Sequence, residues 1–239
     1  MIEYRKKLSR TIRLNSYHPL CRNELGRQAL IDYNHPPFVD ASCRREPDLE
    51  SEFPSITSLC RQEIFAPNLE PNDIIVYMTV KGNWYKDYAH YRLVAILEVK
   101  ERRKSHNLAK DWYNNKGILP PSNCMIDDSE PLPFDHTAGD FNTQKELKTF
   151  LKRTAEQRIT IGKRRVQLWN DIYKQRAKDY PAFIITKKIF CDLHTPPILT
   201  LAILESIFGK VPNTRTPNII TKEEFKLLAK EANIDFIYE

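Results

Sequence analysis

The sequence predicts an α+β fold, a β-rich unit followed by a basic helical region, and three observations carry that prediction. Residues 74–80 and 93–99 are two β-branched, apolar runs of strand length, each bracketed by charges or turn residues. Between them lies an aromatic connection, KGNWYKDYAHY, so the two runs read as sheet partners. From Thr143 onward the apolar residues recur at helical spacing and basic residues gather. The expected division is a first domain over residues 1–140 and a helical region over 141–239 packed on it.

Taken in order, residues 2–52 show few periodic segments and predict an irregular front, with a short strand at 38–43 closed by the charged turn CRREPDLE. FPSITSLCRQEIF predicts a short helix starting near Ser55, separated by Pro67 and Pro71 from the strand that follows. SHNLAKDWYNNKG predicts a helix capped by Ser105, with Leu108, Ala109 and Trp112 on one face and Gly117 as the stop. ILPPSNCMI is a proline-rich return, and DDSEPLPFDHTAGDF is a loop by composition. Leu147, Phe150 and Leu151 mark the next helix, and Val166, Trp169, Ile172 and Tyr173 form a stripe that makes Trp169 a core residue. PPILTLAILESIFG and TKEEFKLLAKEANI predict two more helices joined by the loop KVPNTRTPN, the second opened by a capping box from Thr221 to Glu224.

A chain of 239 residues buries a core without help from disulfides or metals. No apolar run approaches the roughly 18 residues of a membrane span, and the basic N-terminal segment lacks the apolar centre of a signal peptide. The five cysteines are odd in number, widely spaced and without a CxxC pair, which fits reduced thiols in a cytoplasmic protein; a zinc site using Cys43 and Cys60 is the less favoured reading. The net charge of +6 is concentrated, because residues 151–178 hold nine basic residues and two acidic ones. Such a patch, centred on Lys163, Arg164 and Arg165, is the footprint of phosphate binding or, alternatively, a solvated helix face.

No GxGxxG, P-loop, GxSxG or HExxH motif is present, and the six histidines stand singly, so no cofactor or metal is expected. Asp73, Glu98 and Lys100 have the loose D…ExK spacing of some metal-dependent nucleases, although Glu98 and Lys100 read equally as the solvent-facing alternates of a strand. Arg44 and Arg45 pair into a fork suited to phosphate or a base edge, or are satisfied by neighbouring Glu46 and Asp48; Arg61 is a third candidate. Tyr77, Trp84, Tyr85, Tyr88, Tyr91, Trp112 and Tyr113 concentrate in one segment. Trp84 and Tyr85, outside the strand periodicity, are its best candidates for stacking on a base.

EPNDIIVYMT, then YRLVAILEV, then the helix with Ala109 and Trp112 resemble the PUA-like superfamily, which includes the ASCH, EVE and YTH domains. The resemblance spans roughly residues 40 to 130, with Asn72 and Ala95 where glycine is common. It implies a small twisted β-barrel flanked by helices, with a pocket for RNA or a modified DNA base lined by Thr79, Trp84, Tyr85 and Asn123. Arg44, Arg45 and Arg61 would then contact phosphate or a base edge. Reader-type members of that group use no metal and perform no chemistry. The expected protein therefore binds nucleic acid and reads a modified or flipped base, with no membrane partner. The alternatives are a metal-dependent enzyme on nucleic acid or nucleotides, using Asp73 or Glu98, and a protein-interaction module.

Overall fold

The computed structural model describes residues 10–126, 129–134 and 144–234. Seven strands form one mixed sheet, in which β2 (Ser55–Thr57), β5 (Phe183–Cys191), β4 (Tyr91–Arg103), β3 (Ile74–Thr79), β1 (Ile12–Tyr17) and β7 (Asn218–Ile220) lie side by side in that order and the short β6 (Ile198–Leu199) pairs the start of β4. β1 (Ile12–Tyr17) and β3 (Ile74–Thr79) run parallel, whereas every other pair is antiparallel. β4 (Tyr91–Arg103) is the longest strand, and its register with β3 and with β5 (Phe183–Cys191) slips at three places. Bulges of that kind increase local twist, and the sheet curls into a half-barrel.

Both faces of the sheet are covered, which is why its strands read as nearly continuous apolar runs. Along β3, Ile74, Val76 and Met78 meet Leu204 of α5 (Leu201–Phe208) and Phe225 and Leu228 of α6 (Lys222–Glu231). The alternate residues Ile75 and Tyr77 meet Phe38, Leu49, Ile56 and Phe65, which come from the segment between α1 (Glu24–Tyr33) and β3. The period-two pleat thus divides one apolar run between two cores. α4 (Ala155–Asp179) packs Val166, Tyr173 and Ala177 against Cys43 and Leu59 of that same covering segment.

The helix signals correspond closely to what forms, including α3 (Gln144–Leu151) where Leu147, Phe150 and Leu151 mark one. Ser105 caps α2 (His106–Asn114) by accepting from the Leu108 amide, and Thr221 and Glu224 form the capping box of α6. Trp169 is half-buried and stacks on Tyr173, as its stripe predicts. Leu108 is the exception on the α2 face, because it points to solvent.

Other expectations are corrected. Residues 38–43 form no strand, only the bridge between Pro19 and Asp40. The segment at Ser55 is the strand β2 (Ser55–Thr57), because its amides complete the exposed edge of β5. The front of the chain is not irregular: it supplies β1 and α1. The region after 140 is not purely helical, since β5 and β7 (Asn218–Ile220) extend the same sheet, so the sheet runs across the expected boundary. The loop over 127–141 and His136 lie wholly or partly outside the described residues.

Arg44 links these parts. Its guanidinium is fully buried and donates to Asn170 Oδ1 of α4 (2.8 Å), to the carbonyls of Ser122, Ser129 and Glu130, and to Ser129 Oγ. Arg44→Met would strand the buried Asn170 Oδ1 and leave the half-buried acceptors around Ser122 and Ser129 unpaired, and is expected to lower unfolding stability by about 3 kcal/mol. Lys163→Gln, on the exposed face of α4, should stay within about 0.5 kcal/mol. Urea denaturation of both variants separates the two roles.

Candidate functional site

Because β1 and β3 are parallel neighbours, Tyr17 and Thr79 end at the same edge of the sheet. β1 becomes polar there: Asn15 and Ser16 replace the apolar residues of its first half. The covering segment arches over this edge and leaves a cavity of about 240 Å3 between Tyr17 and Tyr77 on the strands and Asp40, Glu46, Thr57 and Phe65 on the cover. An engineered cavity of about 150 Å3 takes up benzene, so this one has room for a flat ring system of one or two rings.

Two carboxyls line it. Asp40 Oδ1 accepts from the amides of Ser42 (2.9 Å) and Glu46 (3.0 Å) and from the Ser42 hydroxyl, while Oδ2 has no hydrogen-bond partner among the described residues. Burial outweighs these bonds and the nearby Arg45, and it raises the Asp40 carboxyl from 3.8 to about 6. Glu46 Oε1 accepts from the Thr57 amide (2.8 Å), and Oε2 accepts from the Thr57 hydroxyl and from Asn123 Nδ2 (3.2 Å). Its carboxyl is pushed well above the usual range, first by burial and further by Asp40.

Aromatic rings form the walls. Tyr77 meets Tyr17 edge-to-face at 5.9 Å and Phe65 at 6.4 Å. The Tyr17 hydroxyl donates to the Phe38 carbonyl. Both phenols are raised, mainly by burial and then by the charge of Asp40 at Tyr17 and of Glu46 at Tyr77, so both stay protonated.

The mouth has the opposite sign. Arg61 is clamped there, Nη2 donating to the Ser16 carbonyl (2.9 Å) and Nη1 to the Arg215 carbonyl (2.6 Å). Arg22, Arg215 and His18 are exposed, and partial burial of the His18 ring, with the charges of Arg22 and Arg61 close by, lowers its imidazole pKa. The cavity therefore grades from buried carboxyls through aromatic walls to a cationic rim. α4 adjoins this rim, because Arg176 Nη1 donates to the Leu59 carbonyl (2.6 Å), two residues before Arg61.

Of the nucleic-acid-contact residues expected from the sequence, Arg61 lines this cavity and the others do not, although Tyr77 of the aromatic cluster and Cys60 line it too. Arg44 is engaged as described, and Arg45 is buried under Phe134, donating to the Asp40 carbonyl and lying 2.9 Å from Glu50 Oε2. Neither guanidinium is open to a ligand, since the fold needs both to hold the covering segment. Thr79 is buried and accepts from the Arg92 amide. Asn123 stands behind Glu46, bonded to it and to Ser55. Trp84 is only 5% exposed, donates to the His90 carbonyl (3.1 Å) and meets Phe38 edge-to-face, while Tyr85 is 62% exposed. Lys163 and Arg164 are exposed on α4, and Arg165 is half-buried near Asp32 and Phe150.

Asp73 accepts from the amides of Thr11 and Glu70 and pairs with Arg13, and Glu98 pairs with Lys100. Among the described residues, no cluster of three metal-ligating side chains occurs.

Sequence reasoning missed Asp40, Tyr17 and Asn15. The signal available was Asn15 and Ser16, two poor strand formers within an otherwise alternating strand, together with five charged residues crowded into a segment of 40–48 that lacks periodicity. Comparison with protein-family models, curated proteins and solved structures returns no significant match.

Asp40 holds its proton up to about pH 6 in the fold and only to its ordinary 3.8 when unfolded. Between those values the native state binds the extra proton, so the Asp40 contribution to stability falls as pH rises from 4 to 6 and then levels. Asp40→Asn retains the Oδ1 acceptor and removes the ionisation. Its stability relative to the parent should improve by about 2 kcal/mol between pH 4 and pH 7, measured by denaturation at each pH.

Proposed function

We propose that this protein binds nucleic acid by taking one unstacked base into the cavity between Tyr17, Tyr77, Asp40 and Glu46. The observation that carries the reading is the gradient of chemistry along one small cavity. A nucleotide has a flat ring with N–H donors at one end and a phosphate at the other. Buried carboxylate oxygens accept from the exocyclic amine or ring N–H, aromatic rings meet the base, and the arginines of the rim meet the phosphate. Asp40 Oδ2 is the acceptor left open, with Glu46 fixed by Thr57 and Asn123 as the rigid floor beside it.

Lys163, Lys174 and Lys178 follow one face of α4 by their spacing of eleven and four, and all three are exposed. They supply the sequence-independent grip on the backbone, while the cavity supplies the choice of base. A PUA-like relationship belongs to the same proposal, supported by the curled sheet and by a cavity at its open edge.

Asp40 favours a second reading. A carboxyl with a pKa near 6 in a cleft is suited to general-base chemistry on the bound nucleotide. Chromatography of nucleotides and oligonucleotides after incubation, with and without Mg2+, distinguishes the two: a reader returns them unchanged.

The binding reading is tested with single-stranded oligonucleotides carrying plain, methylated or hydroxymethylated bases. If a base N–H donates to Asp40, affinity should rise about tenfold between pH 5 and pH 7, as the carboxyl ionises, and Asp40→Asn should abolish that rise. Lys163→Gln with Arg164→Gln should reduce the salt slope by about 0.7 for each phosphate no longer neutralised, with the order of base preference unchanged. A pH-independent affinity that Asp40→Asn leaves intact would exclude the cavity as the base site.

A further inference from the structure

A second cavity, of about 370 Å3, borders the same segment that walls the first: Tyr17 and His18 line one, Cys21 and Arg22 the other. Its lining carries Arg22, Arg27 and Lys81 and no carboxylate. All three cations are exposed, and none forms a salt bridge among the described residues. The other wall is the turn after β3. There Trp84 and Tyr85 have φ of 38° and 66°, in the left-handed region that bulky L-residues avoid. Paired bonds between Gly82 and His90 hold the turn, as does the Lys86 amide donating to the Asn83 carbonyl (2.8 Å). A Cβ on Gly82 would sit 2.5 Å from the Trp84 indole, so only glycine lets that ring lie across the backbone. Trp84 is thereby pinned inward while its neighbour Tyr85 is turned outward, lining the cavity together with Cys21. An exposed ring carried on a backbone turn held in this way, beside cations without a carboxylate partner, is suited to stacking.

We propose that this second cavity receives the nucleotide adjoining the one in the base pocket, Lys81 and Arg27 meeting the linking phosphodiester and Tyr85 stacking on its base. The assignment rests on the reading of the first cavity as a base pocket, and it makes the ligand a strand rather than a free mononucleotide. Arg22, which influences His18 in the first cavity and lines the second, stands where the strand would cross.

Calorimetric titration of the full chain with nucleoside 5′-monophosphates and with single-stranded DNA and RNA hexamers, at two salt concentrations, tests this. Lys81→Gln lies on the surface, and Tyr85→Asn keeps a residue that tolerates positive φ, so both should fold. Hexamers should bind more tightly than monophosphates. Tyr85→Asn should remove between about 5-fold and 100-fold of hexamer affinity, and Lys81→Gln should lower the salt slope by about 0.7, with Lys81→Arg restoring it. Monophosphate affinity should be unchanged in both variants and weakened in Asp40→Asn. If Asp40→Asn weakens monophosphates but neither surface variant affects hexamers, the second subsite is overturned and the base pocket stands. Equal loss for monophosphates and hexamers in Lys81→Gln would make the cavity a mononucleotide phosphate site and overturn the strand assignment. Hexamer binding sensitive to Tyr85 and Lys81 but indifferent to Asp40→Asn would overturn the base pocket and leave the second cavity as a strand site. No binding of either ligand overturns both.

Discussion

Residues 38–49 lie inside the protein with neither helix nor strand to pair their backbone, and a buried chain of that kind must find a partner for each N–H and C=O elsewhere. It does so partly through backbone bonds to His18, Leu20, Ser55, Leu132 and Leu193, and partly through charged side chains. Asp40 receives the amides of Ser42 and Glu46, and Asp48 receives those of Glu50, Ser51 and Ser122. Arg44 ties the segment to α4 and to Ser122, Ser129 and Glu130, and Arg45 fixes the Asp40 carbonyl. Without this network the cover over the sheet edge would have no defined shape, and the cavity beneath it would have no second wall.

The network also sets the electrostatics of that cavity. Carboxyls that cap buried loops stay out of water, so their protons are held more tightly than on a surface. The groups that give the covering segment its form are thus the groups that give the cavity its chemistry. Glu46 has both its oxygens engaged and acts as a rigid boundary, whereas Asp40 is engaged through one oxygen and its other has no partner among the described residues. A carboxyl half-committed to structure in this way costs stability above its pKa.

Local signals in the sequence were reliable where the deciding contacts lie within one turn of chain. Caps at Ser105 and Thr221, the strand at residues 74–79 and the Trp169 stripe depend on spacing alone. The paired arginines show where such reading stops. Arg44 and Arg45 carry the residue types of a phosphate clamp, yet their partners are 5 to 126 residues away in sequence, and nothing local distinguishes a guanidinium turned inward from one turned outward. Trp84 and Tyr85 illustrate the same limit, since adjacent rings of similar character face opposite ways because of a backbone twist that Gly82 makes room for.

By itself the sequence determined the α+β character, the positions of the capped helices, the concentration of positive charge on α4 and the aromatic richness around residues 77–113, because each is a property of composition or short-range period. Only the tertiary structure decided that β1 runs parallel beside β3, that strands from the end of the chain complete the sheet, and that Tyr17, Asp40, Glu46 and Tyr77 converge on one cavity. The physical reason is burial. Whether an Asp or an Arg meets water or the interior depends on what packs over it, and here that cover comes from parts of the chain distant in sequence.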